Sequence, residues 1–155
     1  MAHHAERLAR IMPLMHHIVS HLGVQSTPSG KRLGLTNTRM MALAAVMHGD
    51  GLAMSDLAAV LDFPAPLATR TVDELVERGL LVRASDPSDR RRVLVRATPA
   101  APKAFDEVHR DAALLIGHVL ERMTDEEADA LVVGLEALSR AMHAPGGPLA
   151  PHDHP

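Results

Sequence analysis

The stretch SDLAAVLDFPAPLATRTVDELVERGLLVRASDPSDRRRVLVRA, residues 55–97, decides the fold. Ser55 is a good N-cap, and a short helix is expected to follow over Asp56–Leu61. Asp62-Phe63-Pro64 breaks it, because the ring of Pro64 pushes Phe63 out of the helical region. A second helix is expected from Ala65 to Arg78, with Leu67, Val72, Leu75 and Val76 apolar and Gly79 placed to stop it. The pattern then changes. Leu80–Ala84 and Val93–Ala97 are short β-type runs, and the turn formers and arginines from Ser85 to Arg92 lie between them. That is a β-hairpin with a charged tip. Two helices across a tight turn, followed by such a hairpin, make a helix-turn-helix with a wing.

Working outward, residues 5–22 place Leu8, Ile11, Met12, Met15, Ile18, Val19 and Leu22 on one helical stripe. Pro13 interrupts it, so the helix is expected to kink there or to begin near Met12. Residues 23–36, with Gly23, Pro28, Gly30 and Gly34, read as a loop. Thr36 or Asn37 can cap a helix running to about His48, and Leu52-Ala53-Met54 is a short extended stretch. Beyond the hairpin, Thr98-Pro99 opens a long helix with a stripe of Phe105, Val108, Ala112, Leu115, Val119 and Met123. Thr124-Asp125-Glu126-Glu127 is a capping box for a last helix. The Pro, Gly and His residues of 144–155 read as a flexible tail. The fold class is mainly α with a small β-hairpin wing.

Composition narrows the function. The chain has 155 residues, 46% hydrophobic and 23% charged, enough to bury a core and unlike a disordered segment. With no cysteine there is no disulfide, no thiolate zinc site and no thiol nucleophile. Phe63 and Phe105 are the only aromatic residues, which leaves little for stacking on bases. Net charge is −3, yet Arg83 to Arg96 holds five arginines against Asp86 and Asp89. The basic charge is therefore local, in the wing. No glycine-rich phosphate loop, G-x-S-x-G or H-E-x-x-H occurs, so catalysis is not expected and no cofactor is called for. The N-terminus lacks a signal-peptide core, and no apolar run is long enough to cross a bilayer. The expected location is cytoplasmic, without a membrane partner.

The run Ala68-Thr69-Arg70-Thr71-Val72-Asp73-Glu74-Leu75-Val76-Glu77-Arg78-Gly79-Leu80, the Asp86-Pro87-Ser88-Asp89-Arg90-Arg91-Arg92 wing and Ala97-Thr98-Pro99 closely resemble the winged-helix core of the MarR (multiple antibiotic resistance regulator) family. Gly34-Leu35-Thr36 resembles that family's approach to its second helix. The resemblance implies a homodimeric transcriptional regulator, most simply a repressor, on a double-stranded inverted-repeat operator. It implies residues 37–97 as the DNA-binding region, with 1–36 and 98–143 as the helical dimerisation region. Pro66, Thr69 and Arg70 would face DNA from the recognition helix. Arg91 would enter the minor groove, Asp89 would hold the wing arginines, and Arg90 or Arg92 would meet phosphate, for which arginine is well suited. In one departure, Pro64 stands where the family often has a capping serine.

By the same resemblance a small aromatic or phenolic effector would bind near the junction of the two regions. Met12, His16, Met40 and Met47 are the candidates to line its pocket, since methionine adapts to irregular ligands; ordinary core filling is the other reading. His17 and His21, one turn apart, would be the ligands if the regulator responded to zinc instead; without a third ligand, exposed surface histidines explain them equally well. For Arg70 the plain alternative is an ion pair with Asp73 or Glu74 at helical spacing. A further alternative for the whole chain is a dimeric protein-interaction module without operator binding.

Overall fold

A computed structural model describes residues 2–86 and 93–144. The wing-tip residues Asp89 to Arg92 and the tail from Pro145 lie outside the described residues. The chain divides into two compact units, the first ending at Leu115 and the second beginning at Ile116.

The first unit opens with α1 (Ala2–Leu22), a continuous helix with Pro13 in its interior. The helix thus does not begin late at Met12. Pro13 costs the helix one backbone hydrogen bond. The expected loop over 23–36 is also corrected. It contains a 3-10 turn, Val24–Ser26, and a short helix α2 (Pro28–Leu33). Thr27 caps α2, accepting from the Gly30 amide at 2.9 Å while donating to the Val24 carbonyl at 2.7 Å. Next come α3 (Asn37–Met47), capped by Thr36 as expected, β1 (Leu52–Ala53) and α4 (Met54–Leu61). Ser55 does not cap α4; it lies inside the helix, which starts from extended Ala53 without a side-chain cap. Helix α4 ends at Asp62, whose φ of 52° is left-handed.

Helix α5 (Ala65–Glu77) follows, with Pro64 at its N-cap offering no hydroxyl and Arg78 at its C-cap. Strands β2 (Leu81–Ser85) and β3 (Val93–Ala97) form the hairpin, and β1 adds to its outer edge. The sheet is antiparallel in the order β1-β3-β2, with Leu52 opposite Val95 and Leu81 opposite Ala97. The wing is thus three-stranded at its base rather than a bare hairpin. Helix α6 begins at Ala100 and runs to Leu120. Thr98 does not cap it. Its hydroxyl donates to the Gly79 carbonyl at 2.7 Å and its amide to the Leu80 carbonyl at 3.0 Å, tying the exit of β3 to the end of α5.

The core lies between α3, α4, α5, the sheet and the first turns of α6. Leu35, Ala42, Leu43, Val46, Leu57, Val72, Leu75, Leu81, Val95, Ala101 and Val108 are among its fully enclosed members. No aromatic side chain belongs to this enclosed set, so aliphatic packing alone fills it. The second unit consists of the last turn of α6, the connection 121–124 and α7 (Asp125–His143). Thr124 and Glu127 form the expected capping box, with the Glu127 amide donating to the Thr124 hydroxyl and the Thr124 amide to the Glu127 carboxylate. Leu131, Val132, Val133, Leu135 and Leu138 of α7 are exposed. No helix among the described residues is long and apolar enough to cross a membrane.

Candidate nucleic-acid interface

Helix α5 is amphipathic. Ala68, Thr71, Val72 and Leu75 face the core, which turns Pro66, Thr69 and Arg70 outward on the opposite side. The three residues expected on the recognition helix therefore share one exposed edge. The Thr69 hydroxyl donates to the Ala65 carbonyl at 2.9 Å, a bond that leaves its oxygen free to accept. The Arg70 side chain is 79% exposed, and its Nε donates to Glu74 Oε1 at 3.1 Å.

Glu74 has a second partner from another element. Arg39 of α3 donates to Glu74 Oε2 through Nε at 2.7 Å and through a terminal nitrogen as well. Another Arg39 nitrogen donates to the Gly34 carbonyl at 2.6 Å. Arg39, with Arg70 assisting, holds the Glu74 carboxyl below its ordinary value against the opposing effect of burial. Around these three charges Thr36, Thr38, Leu67 and Thr71 line a shallow notch between α3 and α5.

On the wing, Arg83 of β2 pairs with Asp73 of α5 at 2.7 Å. Arg96 of β3 packs over Gly51, whose φ of +116° favours glycine and whose missing Cβ would come 2.7 Å from Arg96 Cγ. Of the five arginines that mark the segment as basic, Arg83 thus ties the wing to α5 and Arg96 packs over the Gly51 turn. The other three, Arg90, Arg91 and Arg92, lie with Asp89 outside the described residues.

The remaining candidates do not converge. Met40 is 6% exposed and belongs to the core, and Met47 packs against that core. Met12 is 58% exposed and His16 is also exposed, both on α1. The rings of His17 and His21 stack at 4.3 Å, and His21 Nδ1 donates to the His17 carbonyl at 2.8 Å. Among the described residues no three His, Asp or Glu side chains lie close enough together to hold a metal ion. Sequence reasoning missed Arg39 as the partner of Glu74, and Arg83 as the partner of Asp73. Residues 35 apart, such as Arg39 and Glu74, carry no local signal of their pairing.

A helix pair whose second member turns a polar edge outward, braced by an arginine-bearing hairpin, defines a winged helix-turn-helix domain. The MarR family profile matches residues 33–92. YfiV of Bacillus subtilis, described as an uncharacterised HTH-type transcriptional regulator, is 27% identical over 81% of this chain and 78% of its own length. Among solved structures, YusO of Bacillus subtilis has a TM-score of 0.69 at 20% identity, covering 88% of this chain and 94% of that one. A variant of MepR from S. aureus, bound to an oligodeoxyribonucleotide, has a TM-score of 0.61 at 18% identity and covers 87% and 97%. Residues 33–92 thus match the MarR family, and relatives matched over most of the chain are described as transcriptional regulators. The chain is a DNA-binding regulator and not an enzyme.

Proposed function

We propose that the protein acts as a homodimeric repressor on an inverted-repeat operator and that a small-molecule effector weakens its hold. The observation that carries the reading is the outward edge of α5, where Pro66, Thr69 and Arg70 stand beside a hairpin whose connection holds Asp89, Arg90, Arg91 and Arg92. A helix of that width fits the major groove, and arginines at the wing suit the narrower minor groove. Residues 37–97 form the reading unit, and 1–36 with 98–143 supply the dimer contacts. Exposed Leu8, Ile11, Met15 and Ile18 on α1, and exposed Leu131, Leu135 and Leu138 on α7, support that assignment, because apolar surface of this extent seeks cover. An effector works only through unequal affinity for DNA-competent and incompetent dimers. The test is fluorescence anisotropy with DNA from just upstream of the protein's own gene, against a scrambled duplex at one stated salt. Wild type should prefer the upstream DNA, and Arg91→Ala should lose about tenfold or more in affinity while remaining folded. Unchanged affinity in the variant would refute the wing assignment.

A further inference from the structure

We propose that Glu74 is a specificity-determining residue: it holds the Arg70 guanidinium against its own helix and yields it only to well-placed DNA. The proposal rests on the reading that α5 faces DNA. An exposed arginine there attracts any phosphate, because backbone attraction is blind to sequence. An exposed pair one turn apart is ordinarily too weak to restrain it. Here the acceptor is fixed. Arg39, anchored on the Gly34 carbonyl, takes Glu74 Oε2 and leaves Oε1 aimed at Arg70. The Arg39 and Glu74 side chains are only 19% and 23% exposed, so this carboxylate is screened less than a free surface one.

The charge count makes the restraint reversible. Two cations share one carboxylate, so Arg70 can leave without stranding Glu74, which Arg39 still neutralises. Departure then costs one exposed hydrogen bond, which a phosphate or base edge in the right position replaces. A phosphate in the wrong position does not. Specificity is gained by penalising the wrong partner rather than by adding contacts to the right one.

The test measures anisotropy with a random-sequence duplex across a salt series and, at one salt, with the duplex from upstream of the protein's own gene. It compares wild type, Glu74→Gln, Glu77→Gln, Arg70→Ala and the double variant Arg70→Ala/Glu74→Gln. Glu77→Gln makes the same charge change on the same helix, two turns from Arg70. Glu74→Gln should bind the random duplex about threefold tighter than Glu77→Gln. One added phosphate contact should also increase its loss of affinity between about 50 and 200 mM salt by about 3.5-fold. The double variant should bind as Arg70→Ala does. Glu74→Asp, which keeps the charge and shortens the reach, should also bind more tightly than wild type, and it serves if Glu74→Gln unfolds. If Glu74→Gln binds no better than Glu77→Gln, or its gain survives in the Arg70→Ala background, the proposal is overturned. If Arg70→Ala binds the duplex from upstream of the protein's own gene as tightly as wild type does, the DNA-facing reading of α5 fails and the proposal falls with it. If Arg70→Ala is weakened on that upstream duplex and Glu74→Gln matches Glu77→Gln on the random one, only the restraint is refuted.

Discussion

Replacing Gly30 by alanine sets two effects of opposite sign against each other. Gly30 lies in α2, and in a helix interior alanine outranks glycine by about 1 kcal/mol, so propensity alone says that the variant gains stability. The surroundings say otherwise. A Cβ on Gly30 would sit 1.9 Å from the Val24 carbonyl oxygen and 2.6 Å from Thr27 Oγ1. No rotamer relieves a clash with backbone, so the 3-10 turn has to move by more than 1 Å, a shift of about the size that core overpacking forces. That movement breaks the bonds converging on the same oxygen, from the Thr27 hydroxyl at 2.7 Å and the Thr27 amide at 3.1 Å. Thr27 is fully buried, and each bond lost costs about 1 kcal/mol, with a further penalty of about 1 for an unpaired buried group. Against the gain of about 1, the net is a loss of about 2 kcal/mol. For a chain of this size that lowers Tm by about 4–8 °C. Circular dichroism melts at equal protomer concentration read it directly, since dimerisation would otherwise shift the midpoint. A Tm equal to or above that of wild type would refute the claim that the Val24 carbonyl makes glycine necessary.

Two further outcomes follow from geometry. Asp62 closes α4 with a φ of 52°, a conformation that β-branched residues resist, so Asp62→Val should lose about 1–2 kcal/mol and Asp62→Gly should keep wild-type stability, both read by urea unfolding. Equal stability of the two variants would contradict the strain. Arg39 holds the Glu74 carboxyl below its ordinary pKa of 4.5 in the folded state, so the pair's contribution is complete above about pH 4.5 and disappears as pH falls through the lower folded value. Wild type should therefore lose more stability than Glu74→Gln in that acid window, and parallel curves would show that the pair contributes nothing.

What was legible in the sequence, and what was not, follows the range of the interactions involved. The stop of α5 at Gly79, the pairing of β2 with β3 and the Thr124 capping box are written in neighbouring residues and were legible, although Leu67, read with the apolar positions of α5, is exposed and Ala68 and Thr71 are buried instead. Residues 23–36 misled because Pro28 and Gly30 look like loop formers, whereas proline is at home in a first helical turn and Gly30 is there for a carbonyl six residues earlier. Ser55 and Thr98 have capping side chains, yet α4 starts one residue before Ser55, and the Thr98 hydroxyl turns to Gly79. Pairings across the fold, such as Arg39 with Glu74 and Arg83 with Asp73, have no local signature at all. The same limit applied to the effector candidates: methionine spacing on α3 does not distinguish a pocket from a core, and Met40 lies in the core.

Strand β1 is only two residues long, but it runs straight into α4 and bonds to β3, the inner strand of the wing. Arg83 links β2 to α5 from the other side. The helix pair and the wing base are thus fastened together at both margins and behave as one solid part. Torque delivered to this part from α1 or α6 turns it whole and leaves the spacing between its helix and its wing unchanged. In a two-copy assembly, a signal can then alter the distance or angle between the two reading units but not the letters that either one reads. Changing a preferred base would require substitution within a unit, whereas changing a preferred gap between half-sites would require only a change in the helices that join the units.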